Sequence, residues 1–254
     1  MRRRSIAAGA VLLVSIGLNL ALIQTVRSLY ISAKVRAARP DNSGMYSELD
    51  ADLQSGSRTT PLVVLFGDSR IAEWSPEPRL RSSARLVNRG IDGETTEQMK
   101  LRFENDILAL RPQVVVIQAG INDLVAASLV SGDLRDAIVD RCVGNLKDFA
   151  RRAAEQGSGV LLLTIIPPAR PPFYRWLVWD SAIWGIVDSV NERIGSASSN
   201  GDVAILDASA ALMSNGSWNR GVTKDTLHLT PTGYERLNDL LAVRIDDLLE
   251  HAVQ

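Results

Sequence analysis

Five short runs rich in valine, leucine and isoleucine, at residues 62–66, 85–87, 114–118, 160–165 and 203–206, recur along the chain and are separated by longer amphipathic stretches. Runs this short and this apolar have the pattern of strands covered on both faces. The intervals at 95–110, 133–155, 181–196 and 231–249 suit helices, and Pro231 after Thr230 is placed for a first helical turn. Strand and helix in alternation predict an α/β fold, a five-stranded parallel sheet with helices on both faces. Ligands of such sheets bind outside the carboxyl ends of the strands, so the residues just after each strand are the ones to inspect.

The first strand end carries Gly67-Asp68-Ser69. A serine there is well placed as a nucleophile, although an Asp-Ser pair at a strand end is also an ordinary turn or cap. A serine hydroxyl needs a base, and the chain has two histidines. His251 lies close to the last residue, Gln254, whereas His228 follows Lys224-Asp225-Thr226-Leu227 just before the last predicted helix. An aspartate three residues ahead can hold the imidazole and stabilise its protonated form. The bland reading is a capping Asp225 beside a surface His228.

Donors for a developing oxyanion are the third requirement. The third strand ends in Gly120-Ile121-Asn122-Asp123, and the second is followed by Asn88-Arg89-Gly90-Ile91-Asp92-Gly93, whose glycines allow close backbone approach. Each block alone is an unremarkable turn. Their occurrence at successive strand ends, in a compatible order, is not.

Together, Gly67-Asp68-Ser69, Gly93, Gly120-x-Asn122-Asp123 and Asp225-x-x-His228 resemble the four sequence blocks of the SGNH (GDSL-like) hydrolases, over nearly all of the chain after residue 59. The resemblance implies a flavodoxin-like three-layer α/β/α fold and ester hydrolysis without metal or organic cofactor. Carried over by position, it implies Ser69 as nucleophile, His228 as general base and Asp225 as its partner. It also implies an oxyanion hole of the Ser69 and Gly93 backbone amides and the Asn122 side chain. Gly93 is favoured over Gly90 because the family pattern sets its glycine before Asp or Glu and Thr, as in Gly93-Glu94-Thr95. Two departures stand out: Arg70 replaces the usual leucine or isoleucine, and Ala72 a frequent threonine. Arg70 is expected to face solvent, with a cation that favours an anionic substrate as the other reading.

The formal net charge of −1 conceals an asymmetry. Seven of the 28 basic residues precede Asp41, the first acid, so the remaining 21 face 29 acids and the body of the chain is acidic. That balance argues against nucleic-acid binding, which requires clustered positive charge. The single cysteine, Cys142, excludes an internal disulfide framework and a cysteine-rich metal site, and is expected to be buried in a helix.

No residue from Ser5 to Val26 is charged, a length that as a helix spans ~33 Å and can cross a bilayer. Arg2, Arg3 and Arg4 favour a cytoplasmic N-terminus, and the basic residues from Arg27 to Arg39 weaken that preference. An uncleaved anchor is preferred to a cleaved signal, because the apolar run exceeds a signal h-region and the candidate site at Val35-Arg36-Ala37 lies beyond charged sequence. A lipoprotein anchor is excluded because no cysteine follows the run. The expected organisation is therefore 1–26 basic segment and membrane anchor, 27–58 linker and 59–254 hydrolase domain, with the domain outside the cytoplasm or, alternatively, secreted.

After the fourth strand, Pro167, Pro168, Pro171 and Pro172 are followed by Phe173, Tyr174, Trp176, Trp179 and Trp184. These aromatics read either as a rim receiving an acyl chain, a glycan face or a membrane surface, or as core residues of a helix start. The substrate expected is thus a small-molecule, lipid or glycan ester. Acyl transfer to a cell-envelope polysaccharide and a non-catalytic membrane-tethered binding protein are the alternatives.

Overall fold

The computed structural model describes residues 2–37, 45–46, 53, 60–173, 179–195, 203–214 and 216–251. The chain forms two compact units, residues 1–42 and 43–254. The first is a single helix, α1 (Arg2–Ala37). Its segment Gly9–Leu29 has a mean hydropathy of 1.9, none of it buried, and is long and apolar enough to cross a membrane. Within it, Asn19 Nδ2 donates to Ser15 O and Thr25 Oγ1 to Ala21 O, so two polar side chains are satisfied by the helix itself. The helix continues past residue 26, and most of the segment expected as a linker lies outside the described residues.

The second unit is built on β1 (Leu62–Gly67), β2 (Arg85–Gly90), β3 (Val114–Gln118), β4 (Gly159–Leu163) and β5 (Val203–Leu206). They form a parallel sheet in the order β2-β1-β3-β4-β5. The strand pleat divides the apolar residues between two cores. Leu62, Val64 and Phe66 join Val115, Ile117, Val160 and Leu162 on one face, under α3 (Thr96–Asp106), α5 (Asp133–Glu155) and α6 (Ala182–Gly195). Val63 and Leu65 join Val114, Val116, Leu161 and Leu163 on the other, under α7 (Ala208–Leu212) and α8 (Pro231–His251). This is the flavodoxin-like three-layer arrangement. Phe66, Phe103 and Phe149 fill the first core, with Phe103 and Phe149 stacked at 4.8 Å between ring centroids. Cys142 is buried there on α5.

The sequence pattern misses the four-residue turn α2 (Ser69–Ala72), α4 (Ile121–Ser128), the five-residue α7, and the hairpin of β6 (Met213–Ser214) and β7 (Ser217–Trp218). β2 also runs three residues beyond its apolar run, to Gly90. The reason is tertiary: Arg89 is fully buried, its guanidinium 4.4 Å from the centroid of the Tyr46 ring, and Tyr46 Oη donates to Gly90 O.

Candidate active site

Ser69 is the first residue of α2, two residues beyond the end of β1. Asp68 caps this turn, its Oδ1 accepting from Arg70 N at 3.0 Å. Asp68 is fully buried, and that burial pushes its carboxyl up to about 6 from the ordinary 3.8, against the pull of the Arg70 cation. Ser69 is held nearly buried, and its Oγ lies 3.2 Å from His228 Nε2. On the other side of the ring, His228 Nδ1 is 2.8 Å from Asp225 Oδ2. Asp225 Oδ1 meanwhile accepts from Leu227 N at 2.7 Å and His228 N at 2.8 Å, so one carboxylate both shapes the loop and orients the imidazole. Partial burial pushes the Asp225 carboxyl up, but these hydrogen bonds outweigh it and hold the group at about 2. The second histidine, His251, ends α8.

The two other expected positions follow the strands on either side of β1. Gly93 lies in the turn after β2, and Asn122 in the first turn of α4 after β3. Gly93 has φ +73°, a left-handed conformation, and open space beyond its Cα. Gly90 differs: a Cβ there would lie 2.1 Å from Ala72 N, so glycine is required for packing under α2. Asn122 Nδ2 donates to Glu94 O at 2.9 Å, tying the asparagine amide to the residue next to Gly93. Neither Ser69 N nor Gly93 N donates to a backbone carbonyl among the described residues. The strand order therefore sets serine, glycine and asparagine at three adjacent strand ends, β2-β1-β3.

The model of the GDSL-like Lipase/Acylhydrolase family matches residues 60–236. The chain belongs to this family. It is 35% identical over 120 residues to a protein named uncharacterized lipoprotein YqeF of Bacillus subtilis (strain 168), covering 41% of this chain and 48% of that protein. It is 48% identical over 91 residues to an acetylxylan esterase of Geobacillus stearothermophilus, covering 35% of this chain and 38% of that one. The matched segments thus span half or less of these relatives. Among solved structures, a GDSL-like lipase from Bacteroides thetaiotaomicron VPI-5482 superposes with a TM-score of 0.65 at 25% identity, over 82% of this chain and 98% of that one.

Several residues around the candidate site of this GDSL-family chain escape sequence reasoning. Arg70, expected to face solvent, is 1% exposed. Its Nε donates to Leu227 O at 2.9 Å and its Nη1 to Ile166 O at 2.6 Å, so two carbonyls take up part of a group that normally seeks water, while Nη2 is buried without a hydrogen-bond partner among the described residues. Arg102 on α3 is likewise fully buried. It donates to Glu94 Oε2 at 2.7 Å, Asp106 Oδ2 at 2.6 Å, Arg89 O at 3.0 Å and Gly67 O at 3.1 Å. One guanidinium thereby joins the ends of β1 and β2 to the turn containing Gly93. Asp123, part of a sequence block but without an expected role, accepts from Thr96 N at 2.9 Å and Thr96 Oγ1 at 2.7 Å. Its burial pushes its carboxyl up to about 6, against those hydrogen bonds. A capping box of Thr95 and Gln98 completes the start of α3. The signal for Asp123 was present in the sequence as a helix-start threonine, but pairing it with residue 96 required the fold.

A cleft of about 1110 Å³ lies next to the histidine loop and is lined by residues including Pro168, Arg170, Trp179, Trp184 and Trp218. Its lining does not include Ser69 or His228, but Ala169 N donates to Thr226 O at 2.8 Å, two residues before His228. Trp179 and Trp184 also pack against the first core, so these two serve both readings of the aromatic segment. Tyr174 and Trp176 lie outside the described residues. Among the described residues no group of histidine, cysteine, aspartate and glutamate has the arrangement of a metal site.

Proposed function

We propose that this GDSL-family acylhydrolase is a serine esterase working through a Ser69 acyl-enzyme. The observation that carries the reading is the continuous relay from Ser69 Oγ to His228 Nε2, 3.2 Å, and from His228 Nδ1 to Asp225 Oδ2, 2.8 Å. His228 takes the hydroxyl proton as Ser69 attacks the ester carbonyl, and Asp225 stabilises the imidazolium that forms. The oxyanion accepts from the Ser69 and Gly93 amides and from Asn122 Nδ2. Collapse expels the alcohol with a proton from His228, and water then releases the acid by the reverse sequence. Ser69→Ala is expected to abolish turnover of a short p-nitrophenyl ester with the fold intact; undiminished turnover contradicts the assignment.

An O-acylated glycan is the substrate class the cleft supports best. Tryptophan faces suit the apolar faces of sugar rings, and Arg170, Ser181 and Ser217 supply hydrogen-bonding groups beside them. The relative named acetylxylan esterase supports the same class. A glycan held there equally suits an acyl acceptor, which is the case for transferase activity. Acetate release measured against acetyl transfer to an added polysaccharide separates the two.

The apolar segment Gly9–Leu29 supports attachment to a membrane by α1, with the hydrolase unit outside the cytoplasm. The Bacillus relative is named a lipoprotein, whereas here Cys142 is the only cysteine, so the attachment proposed is the helix itself.

A further inference from the structure

We infer that Arg70 is a positioning residue that holds the His228 loop in register with Ser69, an inference that rests on the nucleophile–base reading above. Arg70 directly follows the nucleophile, and Leu227, whose carbonyl receives its Nε at 2.9 Å, directly precedes the base. A single side chain therefore connects the two residues that must meet. Its Nη1 donates to Ile166 O at 2.6 Å, giving the connection a third point in the segment just beyond the end of β4. The backbone of Arg70 is itself anchored: its N–H donates to Asp68 Oδ1, and Tyr234 Oη on α8 donates to its carbonyl at 2.9 Å.

The other ties on this loop are weaker or purely internal. Lys224 N donates to His228 O, and Asp225 accepts from Leu227 N and His228 N, so these bonds shape the loop without fixing its distance from Ser69. Lys224 Nζ reaches Glu73 Oε2 at 3.2 Å, but that pair is exposed, and exposed ion pairs hold geometry poorly. Ala169 N to Thr226 O joins the loop to the segment after β4, not to the nucleophile turn. Arg70 makes the buried, charge-assisted link. A leucine or isoleucine at this position has no donor for either carbonyl.

The test compares Arg70→Leu, Arg70→Lys and wild type by thermal melting, by kcat and KM on a p-nitrophenyl ester, and by the rate of fluorophosphonate labelling of Ser69. Misplacing the base by a fraction of an ångström is expected to lower kcat of Arg70→Leu by ~30–100-fold and slow labelling to match, with KM changed less than ~3-fold. Arg70→Lys, which keeps a cation able to reach one carbonyl, is expected to recover part of the loss. Wild-type kcat and labelling in folded Arg70→Leu, or in Arg70→Lys should Arg70→Leu not fold, overturn the positioning role. So does a loss of activity that only follows the folded fraction. A wild-type protein that neither turns over ester nor labels overturns the underlying reading, and the role of Arg70 with it.

Discussion

Ser69 Oγ and His228 Nε2 lie 3.2 Å apart although 159 residues separate them in the chain. β1 delivers the serine, and the loop before α8 delivers the histidine. Parallel strands with helical crossovers bring the two to one sheet edge. Close contact there depends on a few buried polar links, and each is open to test.

Asn122 is the most direct probe of the proposed oxyanion hole. Asn122→Ala is expected to lower kcat by ~100-fold or more with little change in KM, because the amide acts on charge present only in the transition state. Steady-state kinetics on a short ester checks this, and an unchanged kcat removes Asn122 from the hole.

Arg102 tests the scaffold beneath the site. Removing it takes from the buried Glu94 and Asp106 the cation that both of them pair with, so Arg102→Ala is expected to lose ~3–5 kcal/mol of stability by urea denaturation. A loss below ~1 kcal/mol would show that the network contributes little to the fold.

The carboxyls predict opposing pH effects on stability. Asp68 and Asp123, raised by burial from 3.8 to about 6, bind protons more tightly in the folded state. Their contribution therefore falls as pH rises through roughly 4 to 6 and is level above that. Asp225, lowered from 3.8 to about 2 by hydrogen bonds that outweigh its burial, contributes stability above pH 4 that is lost as pH falls toward 2. Urea midpoints across this range should show Asp123→Asn flattening the upper slope and Asp225→Asn the lower. Wild-type slopes in both variants contradict these assignments. Because Asp225 remains ionised above about pH 2, loss of activity at mildly acid pH is not expected to arise from its protonation.

Attachment by α1 predicts that the full chain sediments with phospholipid vesicles, whereas residues 43–254 stay in the supernatant and retain ester turnover. Full-length protein that is soluble and monomeric without lipid or detergent contradicts the anchor.

The sheet was legible in the sequence because β1, β3 and β4 are short apolar runs buried on both faces, and Leu62 to Phe66 feed both cores by simple alternation. Ser69, Gly93 and Asn122 were legible as candidates because they stand shortly after the strand runs, and His228 because it is one of two histidines and has Asp225 three residues ahead. Arg70 and Arg102 were not, since a charged side chain reads as surface until carbonyls or carboxylates from distant segments are seen to surround it. Ile166 and Leu227 lie 96 and 157 residues from Arg70. The helix α4 was hidden for a local reason: its start, Gly120-Ile121-Asn122-Asp123, reads as a turn, and the eight residues of the helix are too few to show periodicity.

The central claim is that Ser69 is the nucleophile, and active-site labelling tests it most directly. Wild-type protein treated with a fluorophosphonate and mapped by peptide mass spectrometry is expected to carry one adduct, on Ser69, absent in Ser69→Ala and greatly slowed in His228→Ala. An unmodified Ser69 in folded, ester-hydrolysing protein, or an adduct on a different serine, would contradict it.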